Sequence, residues 1–467
     1  MKPSFPILED PPIAALATPP GTSAVAIIRL SGTGVLEKLL PLLHHPNGTP
    51  ATRDDLPPRL LKRFDILDPA TSTPLDQTLV VFFPGPHSYS GEDVIEIQGH
   101  GSPVVVARIL ECLNMQGIRP AQPGEFTRRA CLNGKMDLIQ AEAVATLINA
   151  SSLYSAREAV RQMEGVLSQR IIAVQERLLT VLAHVEAALD FAEDDPTALP
   201  TTMLLKELSA ISEILGKLLR GAVFGMRLKE GFRLLIAGRP NVGKSSLFNR
   251  LLGRKRAIVS PTPGTTRDCI ESFVEIHGVP VTLLDSAGLR ETDEPVESEG
   301  IRLTREHLRE ADGVLVILDA TSALEEEDRR LVQSVVDGDQ AGIVVWNKLD
   351  LRDSQDDLSS WGGLPMVGVS ALTGTGMERL EQQIASMLLP LTVDGEGAVI
   401  MAVRQKEALA RAVRSLAECE AWMMHGQPGE ILALALRSAL EALGELVGET
   451  SQEDLLDRIF ATFCIGK

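Results

Sequence analysis

Gly238-Arg239-Pro240-Asn241-Val242-Gly243-Lys244-Ser245 follows an apolar run and opens a helical one from Ser246 to Leu252. Glycines in such a loop let backbone N–H groups wrap phosphate oxygens at a helix N-terminus. The Lys244 ammonium then lies at the β- and γ-phosphates, and the Ser245 hydroxyl suits a magnesium ion. Further segments follow in an order that serves the same chemistry: Gly264-Thr265-Thr266-Arg267-Asp268, Asp285-Ser286-Ala287-Gly288, Asn347-Lys348-Leu349-Asp350 and Ser370-Ala371-Leu372. The last three each close an apolar, strand-like run. A carboxylate at Asp350 accepts both N1–H and the exocyclic amine of guanine, a donor pair that adenine lacks, so the expected nucleotide is GTP. Thr266 is expected to join Ser245 at the magnesium ion, Asp285 to hold it through water, and the Gly288 N–H to sense the γ-phosphate. The nucleotide set is Asn241, Val242, Gly243, Lys244, Ser245, Ser246, Ser260, Thr265, Thr266, Asp285, Ser286, Ala287, Gly288, Asn347, Lys348, Asp350, Ser370, Ala371 and Leu372. Leu289 stands where many GTPases carry a water-orienting glutamine, and an apolar side chain cannot polarise water, so another group must do so.

These loops need a scaffold, and its pattern changes along the chain. Up to about residue 121, β-rich runs (Ala24 to Leu30, Thr78 to Phe83, Asp93 to Gln98) alternate with turns, and Val104 to Leu113 reads as a helix, which predicts an α+β domain. From 122 to 220, Leu153, Val160, Leu167, Ile171, Val174, Leu178, Val181, Val185 and Leu189 recur at helical spacing and predict long packed helices. From 221 to 389, the runs Arg233 to Ala237, Val281 to Leu284, Val314 to Leu318, Ile343 to Trp346 and Met366 to Val369 alternate with helical ones, as in a doubly wound α/β domain. Helical patterning returns over 390–467. The fold expected is multidomain: an α+β domain, an all-helical domain, and a phosphate-loop α/β domain inserted into the helical one.

The chain has 467 residues and 44% hydrophobic content, enough for two to four domains, and a formal charge of −18. That charge argues against a broad basic surface, so any RNA contact rests on a local patch or a partner protein. Cys112, Cys131, Cys269, Cys419 and Cys464 lack metal-ligand spacing and predict free thiols. No run approaches the ~20 apolar residues of a membrane helix, and Glu9 and Asp10 do not suit a targeting segment, so a cytoplasmic location is expected.

Several motifs outside the nucleotide segments carry a resemblance: Thr18 to Gly21 with Arg29 to Gly32, Ser88 to Asp93 leading to Glu96 to Gly101, Pro123 to Thr127, Leu132 to Asp137, and Phe463 to Lys467. With them, the chain resembles the MnmE (TrmE) family of tRNA-modification GTPases over essentially its full length. The resemblance implies a homodimer built through an N-terminal domain that binds a one-carbon tetrahydrofolate (5-formyl or methylene). It also implies a heterotetramer with the FAD protein MnmG (GidA), and tRNA as the substrate, modified at C5 of the wobble uridine to carry a carboxymethylaminomethyl or aminomethyl group. In similar proteins potassium replaces an arginine finger; Asn241, with Ser260, Thr262 and Thr265, would form its oxygen cage. Glu297 would orient the attacking water through a second water, although it lies in an acidic run that suits a solvated face equally well. Arg29, Glu96, Lys135 and Lys467 fall on the folate contacts. Cys464 would join the modification chemistry; read alone, it is an inert thiol or a poor match to a prenylation site.

A rival reading is a regulatory or ribosome-assembly GTPase switch without modification chemistry, against which the N-terminal motifs and the Cys464 tail weigh. Base reading by Asp350 has a direct test. Asp350→Asn should shift preference from guanine toward xanthine in binding assays with GTP and XTP; retained preference for GTP would place base reading elsewhere.

Overall fold

Alternation of apolar and polar residues builds the N-terminal strands, and continuous apolar runs build the later ones, which is the difference between a sheet covered on one face and one covered on both. In the computed structural model the described residues are 10–150, 152–190, 201–254, 271–285, 310–338, 340–351, 360–361, 363–389, 400, 402–449, 456, 459–461, 463 and 465–466. They fall into two compact units: residues 1–145, 162–199 and 421–467, and residues 146–161 with 200–420.

In the first unit, β1 (Ile13–Leu16), β2 (Ser23–Ser31), β3 (Leu43–His44), β4 (Lys62–Leu67), β5 (Pro74–Phe83), β6 (Val94–Gly101) and β7 (Arg119–Pro120) form one sheet in the order β3-β4-β5-β6-β2-β1-β7. Helices α1 (Val35–Leu39) and α2 (Pro103–Met115) contribute Val35, Leu36, Leu39, Ile109 and Leu113 to its core. The register of the antiparallel pair β2 and β6 sets Arg29 opposite Glu96. Further along lie α3 (Glu125–Leu132), most of α4 (Leu138–Ile148) and α6 (Val166–Asp190), whereas α5 (Leu153–Met163) belongs mostly to the second unit.

Helix α6 carries the apolar stripe as expected, with Leu167, Ile171, Val174, Leu178, Val181 and Val185 buried. Leu153 and Val160 are exposed instead, because α5 buries its small and polar face, Ser155, Glu158, Ala159 and Gln162. A turn at Gly165 (φ 83°) separates the two helices and resets their phase, so one stripe cannot be counted through both.

The second unit holds α7 (Thr201–Glu230), β8 (Phe232–Ala237), α8 (Lys244–Arg254), β9 (Glu271–Ile276), β10 (Val279–Asp285), β11 (Gly313–Asp319), α9 (Glu326–Asp337), β12 (Gly342–Asn347), β13 (Ser360–Trp361), β14 (Leu364–Gly368), α10 (Met377–Leu388) and most of α11 (Val403–Met424). Helix α12 (Gly429–Val447) belongs to the first unit. The sheet order is β13-β14-β12-β11-β8-β10-β9, parallel from β10 to β14 and antiparallel at both edges. Every residue of β12 is buried, as a strand covered on both faces requires. The chain leaves β8 toward β10 on one side and later adds β11 on the other. The carboxyl end of β8 is therefore a topological switch point, where an open α/β sheet leaves a ligand crevice.

The end of the chain packs within the first unit. Phe460 and Phe463 join Leu138 and Ala141 in a small apolar cluster. Gly124, the cap before α3, has φ 66°, and a Cβ there would meet the Phe460 carbonyl at 2.7 Å and the Phe463 Cβ at 3.0 Å. Gly134 has the same φ with nothing within 4 Å of such a Cβ. Gly134→Ala should therefore cost only the left-handed backbone term of about 1–2 kcal/mol. Gly124→Ala should cost clearly more in denaturant unfolding, and equal losses would refute the packing of the tail against α3.

Candidate active site

The phosphate loop runs from the carboxyl end of β8 into α8. Its shape depends on residues in unusual backbone conformations, Asn241 at φ 63° and Gly243 at φ 97°. Val242 between them is buried in the sheet core, which leaves Asn241, Ser245 and Ser246 exposed around it. The Lys244 Nζ donates to the carbonyls of Gly238 and Arg239, both at 2.8 Å, so the ammonium lies over the first turn of the loop. Its position there suits an anion carried by the loop's N–H groups.

Asn347, 2% exposed, joins this loop to the rest of the site. Its Nδ2 donates to the Val242 carbonyl at 3.0 Å, and its Oδ1 accepts the Ala371 N–H at 3.0 Å. Gly243 must lack a side chain because a Cβ would run into that Asn347 amide. One buried side chain thus ties together the phosphate loop, the end of β12 and the segment after β14. Lys348 follows at φ 67° and places its ammonium 2.5 Å from the Asp319 carboxylate at the end of β11. Burial pushes the Asp319 carboxyl up, but the bonds from Lys348 and from the Thr321 hydroxyl and N–H outweigh it and hold the group below the usual carboxylate range. Ser370, fully buried, donates its hydroxyl to Asp350 Oδ1 at 2.5 Å, which orients an exposed carboxylate. Ala371 is buried and Leu372 is 80% exposed; both line a cavity of about 590 Å³ with Ser246, Asn249, Arg250 and Gly253.

The structure therefore brings together Val242, Gly243, Lys244, Asn347, Lys348, Asp350, Ser370 and Ala371, with Asn241, Ser245 and Ser246 on the same loop and helix start. Asp285 ends β10, beside β8. Ser260, Thr262, Thr265, Thr266, Ser286, Ala287, Gly288, Glu297, Cys464 and Lys467 lie outside the described residues. Arg239, Asp319 and Asp328 also take part in the site's framework, although no motif marks a role for them. Their signal is weak, since each is one charged residue near a loop, and only the fold supplies its partner. Among the described residues, one group of His, Asp, Glu or Cys side chains could hold a metal ion, His277 with Glu378 and Glu381. None of these is a residue singled out from sequence.

In the N-terminal sheet, Arg29 donates from Nε and NH2 to Glu96 Oε1 at 3.0 and 2.8 Å, and from NH1 to the Gly466 carbonyl at 3.4 Å. Its guanidinium lies 5.5 Å from the Tyr89 ring centroid, so Tyr89 also belongs to this pair's surroundings. Lys135 donates to the Pro86 carbonyl at 3.0 Å and runs past Gly91, so the 86–91 segment touches both Arg29 and Lys135. The other motif residues nearby are framework. Arg129, 4% exposed, pairs with Glu92 and Glu125, and Glu125 also accepts two bonds from Arg119. Burial raises the Glu125 carboxyl, and the bonds from Arg119, the Gln122 N–H and Arg129 together outweigh it and bring the group below its ordinary value.

Two family models match the chain, one described as the MnmE helical domain over residues 138–464 and one as the GTP-binding protein TrmE N-terminus over residues 12–135. The tRNA modification GTPase MnmE of Magnetococcus marinus is 45% identical over 458 residues, 97% of each chain. That of Aquifex aeolicus is 42% identical over 457 residues, 98% of this chain and 99% of its own. The chain belongs to the MnmE family of tRNA modification GTPases. Among solved structures, the G domain of the T. maritima FeoB iron transporter aligns with 34% of this chain and 99% of its own, at 29% identity and a TM-score of 0.28. The matched stretches of both MnmE relatives cover nearly all of this chain and so span the residues of both units.

The Asn347 bridge has a direct test. Asn347→Ala leaves the Val242 carbonyl and the Ala371 N–H without their partner, at about 1–3 kcal/mol for each buried group left unpaired, and Asn347→Asp should be no milder, because it sets a buried carboxylate against the Val242 carbonyl. GDP affinity and unfolding free energy should fall in both variants; wild-type behaviour of both would remove the bridge from the account.

Proposed function

We propose that this chain hydrolyses GTP at the phosphate-loop site and that hydrolysis drives modification of C5 of the wobble uridine of certain tRNAs. The observation that supports it best is the joining of the phosphate loop to the base-reading segments through Asn347, in a chain whose full-length relatives are tRNA modification GTPases. Water adds to the γ-phosphorus, the bond to the β–γ bridging oxygen breaks, and GDP and phosphate leave. Lys244 offsets charge on the β- and γ-oxygens, Asp350 reads guanine while Ser370 orients it, and Glu297 positions the water in place of the glutamine replaced by Leu289.

Ser245 and Thr266 would hold a magnesium ion, and the exposed Ser245 hydroxyl at the start of α8 fits that use. Asn241, Ser260, Thr262 and Thr265 would hold potassium; the exposed, neutral Asn241 amide is an oxygen donor suited to it. These ions supply positive charge where the transition state becomes negative. Arg29, Glu96, Lys135 and Lys467 would hold a one-carbon tetrahydrofolate. The Arg29–Glu96 pair is partly exposed and offers a cation and a carboxylate beside the Tyr89 ring, a donor set that fits a ligand with both polar edges and carboxylates. Cys464 would serve the modification chemistry.

The reading further includes a homodimer through the N-terminal domain, a heterotetramer with the MnmG (GidA) flavoprotein and a cytoplasmic location. No described helix is long and apolar enough to cross a membrane. The domain division proposed is 1–121 for folate and dimerisation, 122–220 and 390–467 helical, and 221–389 for GTP hydrolysis.

Nucleoside analysis of tRNA from cells lacking the protein tests this directly. The C5-modified wobble uridine should disappear and return with the wild-type chain and with Glu294→Ala, which removes the same charge three residues before Glu297. Glu297→Ala should fail to restore it, hydrolysing GTP about a hundredfold more slowly with nucleotide affinity within a few-fold. Intact modification in the deleted cells would overturn the reading.

A further inference from the structure

Arg239 follows Gly238 at the first turn of the phosphate loop, where an arginine invites assignment as a phosphate contact or an internal arginine finger. Its guanidinium is committed elsewhere. Nε donates to Asp328 Oδ1 at 2.9 Å and Nη1 pairs with Glu325, both at the N-terminal turn of α9, and the Arg239 side chain is only 16% exposed. Asp328 is 2% exposed and divides its carboxylate, Oδ1 to Arg239 and Oδ2 to the Glu325 N–H at 3.0 Å, where it also completes the cap of α9. These neighbours hold the Arg239 proton more tightly than usual, chiefly through the bond to Asp328.

The backbone of the same residue reaches the phosphate side of the loop. The Arg239 carbonyl accepts the Lys244 ammonium at 2.8 Å. The residue before it is pressed against β11, since a Cβ on Gly238 would meet the Ile317 carbonyl at 2.5 Å. Arg239 therefore connects a buried carboxylate on α9 to the carbonyl against which Lys244 rests.

We propose that Arg239 and Asp328 form a positioning pair that clamps the first turn of the phosphate loop to the start of α9 and so sets where Lys244 and the loop's N–H groups meet the phosphates. The proposal rests on the nucleotide site described above and adds to it two residues that touch neither phosphate nor base. A buried carboxylate that has lost a buried cationic partner is strongly disfavoured, so the loop turn should move when either member is changed. Glu325 is 61% exposed, and its pairing should contribute little.

The test uses the full chain and a fluorescent GDP analogue, with unfolding followed in parallel and single-turnover GTP hydrolysis measured at saturation. Arg239→Met and Asp328→Asn, the latter isosteric and able to keep the α9 cap, should each weaken binding by about tenfold to a hundredfold, the range expected when a loop is misplaced by an ångström. The double variant should bind no worse than the weaker single, and Glu325→Gln should stay within about twofold. Arg239→Lys, which keeps the charge but loses the fork, should fall between wild type and Arg239→Met, and it carries the comparison if Arg239→Met does not fold.

Several results would overturn the proposal. Multiplying losses in the double variant would show two independent roles. Normal GDP affinity well below a lowered unfolding midpoint would show a purely structural pair. Normal binding in Asp328→Asn with hydrolysis lost in Arg239→Met would make Arg239 a phosphate contact. A wild-type chain that does not bind the GDP analogue would instead refute the nucleotide site itself, a failure distinct from wild-type binding retained by Arg239→Met.

Discussion

A single buried carboxamide holds the nucleotide site together. Asn347 ends a strand with no exposed residue, and its two polar atoms reach the carbonyl of Val242 and the N–H of Ala371, residues 105 and 24 positions away. An amide is the side chain that can donate in one direction and accept in the other, and in a site this buried both capacities must be met. Once they are met, the phosphate loop cannot move independently of the base-reading segments. Gly243 is left no room for a side chain, and Asp350 is oriented through Ser370 by the backbone that Asn347 steadies.

Around that bridge, charges act mainly as struts. Asp319 takes Lys348, and Asp328 takes Arg239, so the segment from the end of β11 to the first turn of α9 holds both the base-reading end and the phosphate end of the site. The first unit uses the same device, with Arg129 between Glu92 and Glu125 and Arg119 on Glu125. In both places ion pairs with one partner largely buried tie separate segments together, and their geometric specificity comes from the fork of the arginine or the reach of the lysine.

The cysteines illustrate how burial decides chemistry. Burial pushes the Cys131 thiol up to about 12 and the Cys419 thiol up to about 11, and it raises Cys112 as well. A thiol so shifted carries almost no thiolate near neutral pH and is a poor nucleophile. These three are free thiols, as expected of cysteines without metal-ligand spacing.

The order of the phosphate loop, the base-reading segments and the apolar runs that precede them was legible in the sequence, because each depends on local features: glycine spacing, a lysine before a helix, and strands buried on both faces that read as unbroken apolar runs. Strands at or near a sheet edge were not legible. β4, β7 and β9 are short or carry alternating charges, and β7 exists only because its two residues pair with β1. The exposed face of α5 was misread for a related reason, since helical spacing gives a stripe without saying which side will be covered. Arg29 and Glu96 could be named from motifs, but their pairing came from the register of β2 against β6. Arg239 and Asp328 stand 89 positions apart with nothing local to connect them. Residue types and spacing mark the side chains able to do chemistry, but which charged groups act as struts follows from the assembled fold, because an ion pair between distant segments forms only once the sheet has brought those segments within reach.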